Sequence, residues 1–201
     1  MRCLIPAGPV DAVLEIKRSR FLTHIAHAGS ARDAEACIAR QRAHHPTANH
    51  VCWAFIAGAP GHTTAVGCSD DGEPSGTAGK PMLNVLQHGE IGFVVAATAR
   101  YFGGTKLGTG GLVRAYTQAV ADALATLETQ PWRARTAVRV TGPYAAESAL
   151  RRVLAAHTAP VEDTRYTDSV ELLSSVPSDQ LDALQRAVRD ASHGLAEVST
   201  R

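Results

Sequence analysis

Aromatic side chains, paired cysteines, net charge and long apolar runs are all scarce in this chain, and each scarcity closes off a class of protein. Phe, Trp and Tyr make up 5% of the 201 residues, so Ala, Val and Leu must fill the core. The four cysteines, Cys3, Cys37, Cys52 and Cys68, lie far apart and form no C-x-x-C pair. That spacing argues against a zinc cage or a disulfide framework and predicts reduced thiols. Lys plus Arg number 20 against 19 Asp plus Glu, a formal charge of +1. This is not the balance of a protein that coats nucleic acid or of an acidic tail, although a local basic patch is still allowed. No run reaches the roughly 18 apolar residues of a membrane helix. Near the N-terminus Pro6, Gly8 and Pro9 break up what would have to be a signal peptide's apolar stretch. The expectation is a soluble, cytoplasmic protein with no membrane partner.

What is present is a composition with 45% apolar residues, enough for a buried core. No period of 20–50 residues repeats, which excludes a solenoid. The chain divides near Thr129-Gln130-Pro131-Trp132, where a long helical pattern ends, Pro131 blocks its continuation and a β-rich pattern begins. The expected domains are 1–131 and 132–201, in an α+β fold.

In the second domain Ala137–Val140 reads as a strand, and Gly142-Pro143 opens a helix through about His157. Two strands follow, Val161–Tyr166 and Ser169–Ser174. Pro177-Ser178 starts a second helix, Gly194 stands just past its end, and Leu195–Val198 form a last strand. The order β-α-β-β-α-β matches the ferredoxin-like plan, a fold that hosts many functions and names none. In the first domain, strands are expected at Val10–Ile16, Phe21–His27, Val51–Ala57, Thr63–Cys68 and Ile91–Tyr101. Helices are expected from Ser30 to about His44, from Lys80 to about His88 and from Gly110 to Thr126. Leu112, Val113, Tyr116, Val120, Ala123, Leu124 and Leu127 form an apolar stripe on the last helix, which marks core.

Two loops carry unusual chemistry. The first runs Ser69-Asp70-Asp71-Gly72-Glu73-Pro74-Ser75-Gly76-Thr77-Ala78-Gly79-Lys80-Pro81. As a ligand loop, Asp70, Asp71 and Glu73 would hold a divalent cation or accept from sugar hydroxyls, while the amides of Thr77 to Gly79 face an anion. As a tight solvated turn, Asp would cap backbone groups and Gly72 would take positive φ. The second loop contains Arg100, Tyr101, Gly103, Gly104, Lys106, Gly108, Gly110 and Gly111. Its glycines, between a buried strand and a long helix, suit a backbone that something approaches closely. Free amides at the helix start, with Lys106 and Arg114 nearby, suit an anion such as a phosphate. The alternative is that the glycines only allow strand, loop and helix to pack. The loop is neither a Walker loop, since no G-K-[ST] ends it, nor a dinucleotide fingerprint.

Other candidates are weaker. His50 and Cys52 share a strand face by alternation alone, and the carboxylates near Cys68 would disfavour its thiolate. Both cysteines read as filler rather than nucleophiles. His44-His45-Pro46 reads as a helix end, and His24 and His27 fall on opposite strand faces, where they cannot easily share a metal.

The segments Ser19-Arg20-Phe21, His50-Val51-Cys52-Trp53-Ala54, Ser69 to Met82, Arg100-Tyr101-Phe102-Gly103-Gly104 and Leu107-Gly108-Thr109-Gly110-Gly111-Leu112 resemble the IMPACT family, in its bacterial YigZ-like branch. The resemblance covers roughly residues 10–127, and the second half looks like that branch's small C-terminal domain. It implies a first domain similar to elongation factor G domain IV and the GHMP kinases, and a ferredoxin-like second domain similar to elongation factor G domain V. It also implies a translation-linked regulatory role with RNA or ribosome association. The eukaryotic members bind a partner in an amino-acid-starvation kinase pathway through an additional domain that is not found here, so that activity is not transferred.

The leading expectation is a non-enzymatic binder of RNA or the ribosome, with Lys106 and Arg114 on phosphate. The ligand-binding positions are Asp70, Asp71, Glu73, Thr77, Gly79, Arg100, Tyr101, Gly103, Gly104, Lys106, Gly108, Gly110, Gly111 and Arg114. No catalytic residue, cofactor or metal is assigned. One alternative is an enzyme or small-ligand protein for a phosphorylated metabolite or nucleotide. The other is a protein–protein interaction module, with a partner in translation control.

Overall fold

The computed structural model describes residues 2–63, 65–89 and 91–201. The chain forms two compact units, residues 2–132 and 133–201, each a mixture of helices and strands.

In the first unit a five-stranded antiparallel sheet carries the site. Its strands are β2 (Val10–Ile16), β3 (Ser19–His27), β4 (His50–Ile56), β5 (Val66–Ser69) and β6 (Val94–Tyr101), in the spatial order β2-β3-β6-β4-β5. β6 is central and helices cover both of its faces, which explains the run of small and β-branched residues from Val94 to Ala99. Strand alternation puts Val94, Ala96 and Arg100 on one face, in register with Phe21 and Ile25 of β3 and with His50, Ala54 and Ile56 of β4. The helices α2 (Gly79–His88) and α3 (Thr109–Ala125) cover this face, and Met82, Leu86, Leu112, Tyr116 and Val120 join its core. The helix α1 (Ala31–His44) covers the other face and buries Ala34, Cys37 and Ile38 against Phe55 and Val95. Ser30 caps α1, with its hydroxyl accepting from the Asp33 amide.

β2 and β3 join through Lys17 and Arg18, both in the left-handed region at φ 48° and 64°. That is the backbone of a two-residue hairpin turn usually given to Asn-Gly. It is held by full pairing from Ile16↔Ser19 to Val10↔Ile25.

A small two-stranded sheet pairs β1 (Arg2–Pro6) with β7 (Thr129–Arg133). Neither strand is expected from the sequence, where Pro131 reads as a break. Both strands of such a sheet are edges, and an edge strand tolerates a residue without N–H. Trp132 packs on Phe93 there, ring centroids 4.5 Å apart. The expected strand Ile91–Tyr101 begins only at Val94, because Phe93 takes φ 51° and Gly92 turns onto the backbone of Gly58. Of the expected strand Thr63–Cys68, Thr64 lies outside the described residues, as does Met1; β5 begins at Val66.

The second unit runs β8 (Arg135–Gly142), a 3₁₀ turn at Tyr144–Ala146, α4 (Glu147–Ala156), β9 (Val161–Tyr166), β10 (Val170–Pro177), a second 3₁₀ turn at Ser178–Gln180, α5 (Leu181–Ala191) and β11 (Glu197–Thr200). The antiparallel sheet is ordered β11-β8-β10-β9. Its core gathers Val138, Val140, Leu172, Leu150, Leu154, Leu184 and Val188. Gly194 closes α5, with φ +81° and its amide on the Arg189 carbonyl. The last strand lies two residues later than its apolar pattern suggests, since Leu195 is exposed.

Candidate functional site

The acidic loop is organised by its own first carboxylate. Asp70 Oδ2 accepts from the Gly76 amide at 2.7 Å, and Oδ1 accepts from the amides of Ala78 and Gly79 at 2.9 and 2.8 Å. The start of α2 is therefore already occupied by an anion, and that anion is Asp70. Burial acts to raise the Asp70 pKa, but the three amide donors outweigh it and hold the carboxyl below its ordinary value.

Asp71, at φ 45°, spends its carboxylate on Arg42 at 2.5 Å and on the Val51 amide at 2.7 Å. Its carbonyl accepts from His50 Nδ1 at 2.8 Å, which fixes the proton on Nδ1. Thr77 is buried and donates its hydroxyl to the Pro74 carbonyl. The idea that Asp70, Asp71 and Glu73 share a cation is thus corrected. Each carboxylate already has protein donors, and no three His, Cys, Asp or Glu among the described residues converge as metal ligands.

Glu73 goes inward. Its Oε1 accepts from Arg100 Nη1 at 2.6 Å and from the Tyr116 hydroxyl at 2.9 Å, and the Glu73 and Arg100 side chains are only 3% and 7% exposed. Strand alternation forces Arg100 onto the helix-covered face, where it needs a partner. The Phe21 and Phe102 rings lie 5.5 and 5.8 Å from the guanidinium carbon. Arg100 Nε is buried without a hydrogen-bond partner among the described residues. Phe21 in turn meets Tyr116 edge-on, with centroids 5.2 Å apart.

Cys52 lies next to this network. Its thiol is within reach of the Asp70 carbonyl at 2.9 Å and the Tyr116 hydroxyl at 3.2 Å, and its single proton serves one of them at a time. Burial above all, aided by the nearby carboxylates, pushes its pKa up to about 12. Burial first, then Cys52 and Glu73, also raise the Tyr116 phenol. Both groups are protonated donors rather than nucleophiles. Cys68 is exposed, and burial followed by Asp70 raises its pKa.

The glycine loop folds over the same end of the sheet. Gly103 sits so tightly on the hairpin turn that a Cβ would lie 2.0 Å from the Arg18 carbonyl carbon, and its amide donates to Ser19 Oγ at 3.1 Å. The Ser19-Arg20-Phe21 segment therefore supports the loop from below. At this position the packing explanation for a loop glycine holds. Gly108 is different: with φ +72° it takes the N-cap position of α3, where a glycine has no side chain to cap the helix. The first amides of α3, from Thr109, Gly110 and Gly111, are the ones a helix leaves unpaired.

One cavity of about 430 Å³ joins the two loops. Of the sequence-derived positions, Glu73, Arg100, Lys106 and Gly108 line it. Asp70, Asp71, Thr77 and Gly79 instead build the acidic loop. Tyr101 bonds His45 Nδ1 through its hydroxyl at 3.0 Å. Gly104, Gly110 and Arg114 are exposed at the rim of the glycine loop and the start of α3, with Gly111 in its first turn. Sequence reading missed Asn49, Pro74 and Phe102 as parts of the site and took Leu112 for core only. Of these, only Phe102 carried a signal, as an aromatic inside a glycine-rich loop.

Known proteins bear on both units. A family model described as the Impact N-terminal domain matches residues 17–124, and one described as a domain of unknown function, DUF1949, matches residues 140–195. The IMPACT family member YigZ of Escherichia coli is 40% identical over 195 residues, spanning 97% of this chain and 96% of that protein. The IMPACT family member YvyE of Bacillus subtilis is 30% identical over 192 residues, spanning 96% and 87%. A crystal structure of a hypothetical protein, 39% identical, superimposes with a TM-score of 0.76 over 98% of this chain and 96% of its own.

Proposed function

This chain belongs to the IMPACT family, and on that premise we propose that it is a regulatory, translation-linked protein that contacts RNA or the ribosome through phosphate. The observation that carries the reading is the shared cavity, whose lining joins Lys106, the Gly108–Thr109 start of α3 and the buried Arg100. Backbone amides at a helix N-terminus and a lysine on a glycine loop suit a phosphate oxygen. They position a nucleic acid without reading its sequence. Arg114 extends the basic rim, its guanidinium 3.9 Å from where a Gly110 Cβ would stand.

The same proposal takes the second unit as ferredoxin-like, supported by its β-α-β-β-α-β order and its sheet order β11-β8-β10-β9. It takes the first as the elongation factor G domain IV type. Such a role belongs in the cytoplasm. A net charge of +1 fits local phosphate contact rather than coating of nucleic acid.

The test is co-sedimentation of the purified chain with ribosomes over a salt series, beside a Lys106→Glu, Arg114→Glu double variant. The expected result is salt-sensitive binding that the variant loses. No binding by the wild type at low salt overturns the reading.

A further inference from the structure

The cavity is lined by two chemically different kinds of group, and a bare phosphate uses only one. The first kind is Lys106 with the Gly108–Thr109 start of α3. The second is Phe102, which also lines the cavity and is 47% exposed, although aromatics are scarce in this chain.

Two polar residues, Asn49 and His50, line the same cavity. Asn49 Oδ1 accepts from the Phe102 amide at 2.8 Å, which orients the side chain and leaves its NH₂ as a donor. His50 donates from Nδ1 to the Asp71 carbonyl, which leaves Nε2 as an acceptor. The remaining wall is apolar, from Pro74, Leu107 and Leu112. Arg100 lines the cavity too; its guanidinium is held at Nη1 by Glu73, while its buried Nε has no partner among the described residues.

Resting on the phosphate reading above, we infer that this cavity takes one nucleoside 5′-phosphate, with the phosphate at the α3 start and Lys106 and the base against Phe102. An aromatic plane with one donor and one acceptor beside it matches the face and edge of a nucleobase. A sugar phosphate alone would leave the apolar wall and the ring unused. The volume of about 430 Å³ lies within the range of small-ligand sites, roughly 300–1,000 Å³. The nucleotide could be free or one unit of a single-stranded RNA; the recognition chemistry is the same.

The experiment titrates the full chain with AMP, GMP, CMP, UMP and a uridine hexamer, and with ribose 5-phosphate and inorganic phosphate as controls. Binding is followed by calorimetry in the wild type, Phe102→Ala, Phe102→Tyr and Lys106→Glu. At least one nucleotide or the hexamer is expected to bind about ten-fold or more tighter than ribose 5-phosphate, the size of one base–aromatic stack. Phe102→Ala brings nucleotide affinity down to the ribose 5-phosphate level of the same variant, Phe102→Tyr restores the excess, and Lys106→Glu weakens every phosphate ligand. Preference for the mononucleotide identifies a free ligand, and preference for the hexamer identifies an RNA unit.

Equal binding of ribose 5-phosphate and every nucleotide overturns the nucleotide site but leaves the phosphate reading standing. So does an absence of all nucleotide binding beside ribosome binding that still depends on Lys106. Ribosome binding indifferent to Lys106, with no nucleotide bound, overturns both.

Discussion

Glu73 and Arg100 meet at 2.6 Å in the interior of the first unit, although 27 residues separate them in sequence. The pair ties the acidic loop to the central strand, and Tyr116 of α3 donates to the same carboxylate oxygen. Three elements thus share one buried charge pair. Glu73→Gln should destabilise the protein by about 3–5 kcal/mol in chemical denaturation, because it strands the buried guanidinium. A Glu73→Leu, Arg100→Met double variant should lose clearly less than the two single variants together. Additive losses would show that the two groups do not act as a pair.

Asp70 should confer a pH-dependent part of the stability. Its folded pKa lies below the ordinary value, so its contribution is fully present above about pH 4, the unfolded range for Asp. It is lost as the pH falls through the folded value. Asp70→Ala should cost about 1–2 kcal/mol at pH 7, as the loss of a capping carboxylate does. The gap between wild type and variant should hold between pH 7 and about pH 4 and shrink in urea melts taken from there downward. A gap that stays constant over that range would contradict the assignment.

The thiols should separate by reactivity. With its pKa near 12 and its residue buried, Cys52 should resist iodoacetamide at pH 8 in the native protein. Cys37, also buried, should be protected with it, and Cys68, the exposed one, should react first. Peptide mapping after timed alkylation reads the order. Early labelling of Cys52 would mean that the loop opens readily.

Two glycines of one loop should answer oppositely to alanine. Gly103→Ala must push a methyl group into the Arg18 backbone and should cost about 1–3 kcal/mol. Gly110→Ala has open space, its nearest neighbour 3.9 Å away at the end of a flexible arginine, and lies in the first turn of α3. It should raise stability by about 0.4–1 kcal/mol. Thermal melts of the two variants decide whether packing accounts for the first glycine and not the second.

Much of this protein is readable along the chain. The helices α1, α2 and α3 lie within a residue or so of their apolar periodicity, as at α3, Thr109–Ala125. The β-α-β-β-α-β order of the second half follows from local pattern as well. The family is legible too, because long runs such as Ser69 to Met82 are contiguous. These properties are local: period, caps, turn residues and motifs act within a few residues of each other.

What each residue of the motifs does is a different matter, and only tertiary structure decided it. Asp70, Asp71 and Glu73 are near neighbours in sequence yet serve three different partners, in the order of the α2 amides, Arg42 and Arg100. Pro131 reads as a break and becomes part of a strand only because Arg2–Pro6 arrives to pair with it. Phe102, Asn49 and Lys106 join one cavity because β4 begins where β6 ends, with His50 opposite Arg100, and the loop into α3 starts from that same end of the sheet. Hydrogen bonds and buried charges are satisfied by whatever the fold brings within about 3 Å, and no local pattern encodes that distance.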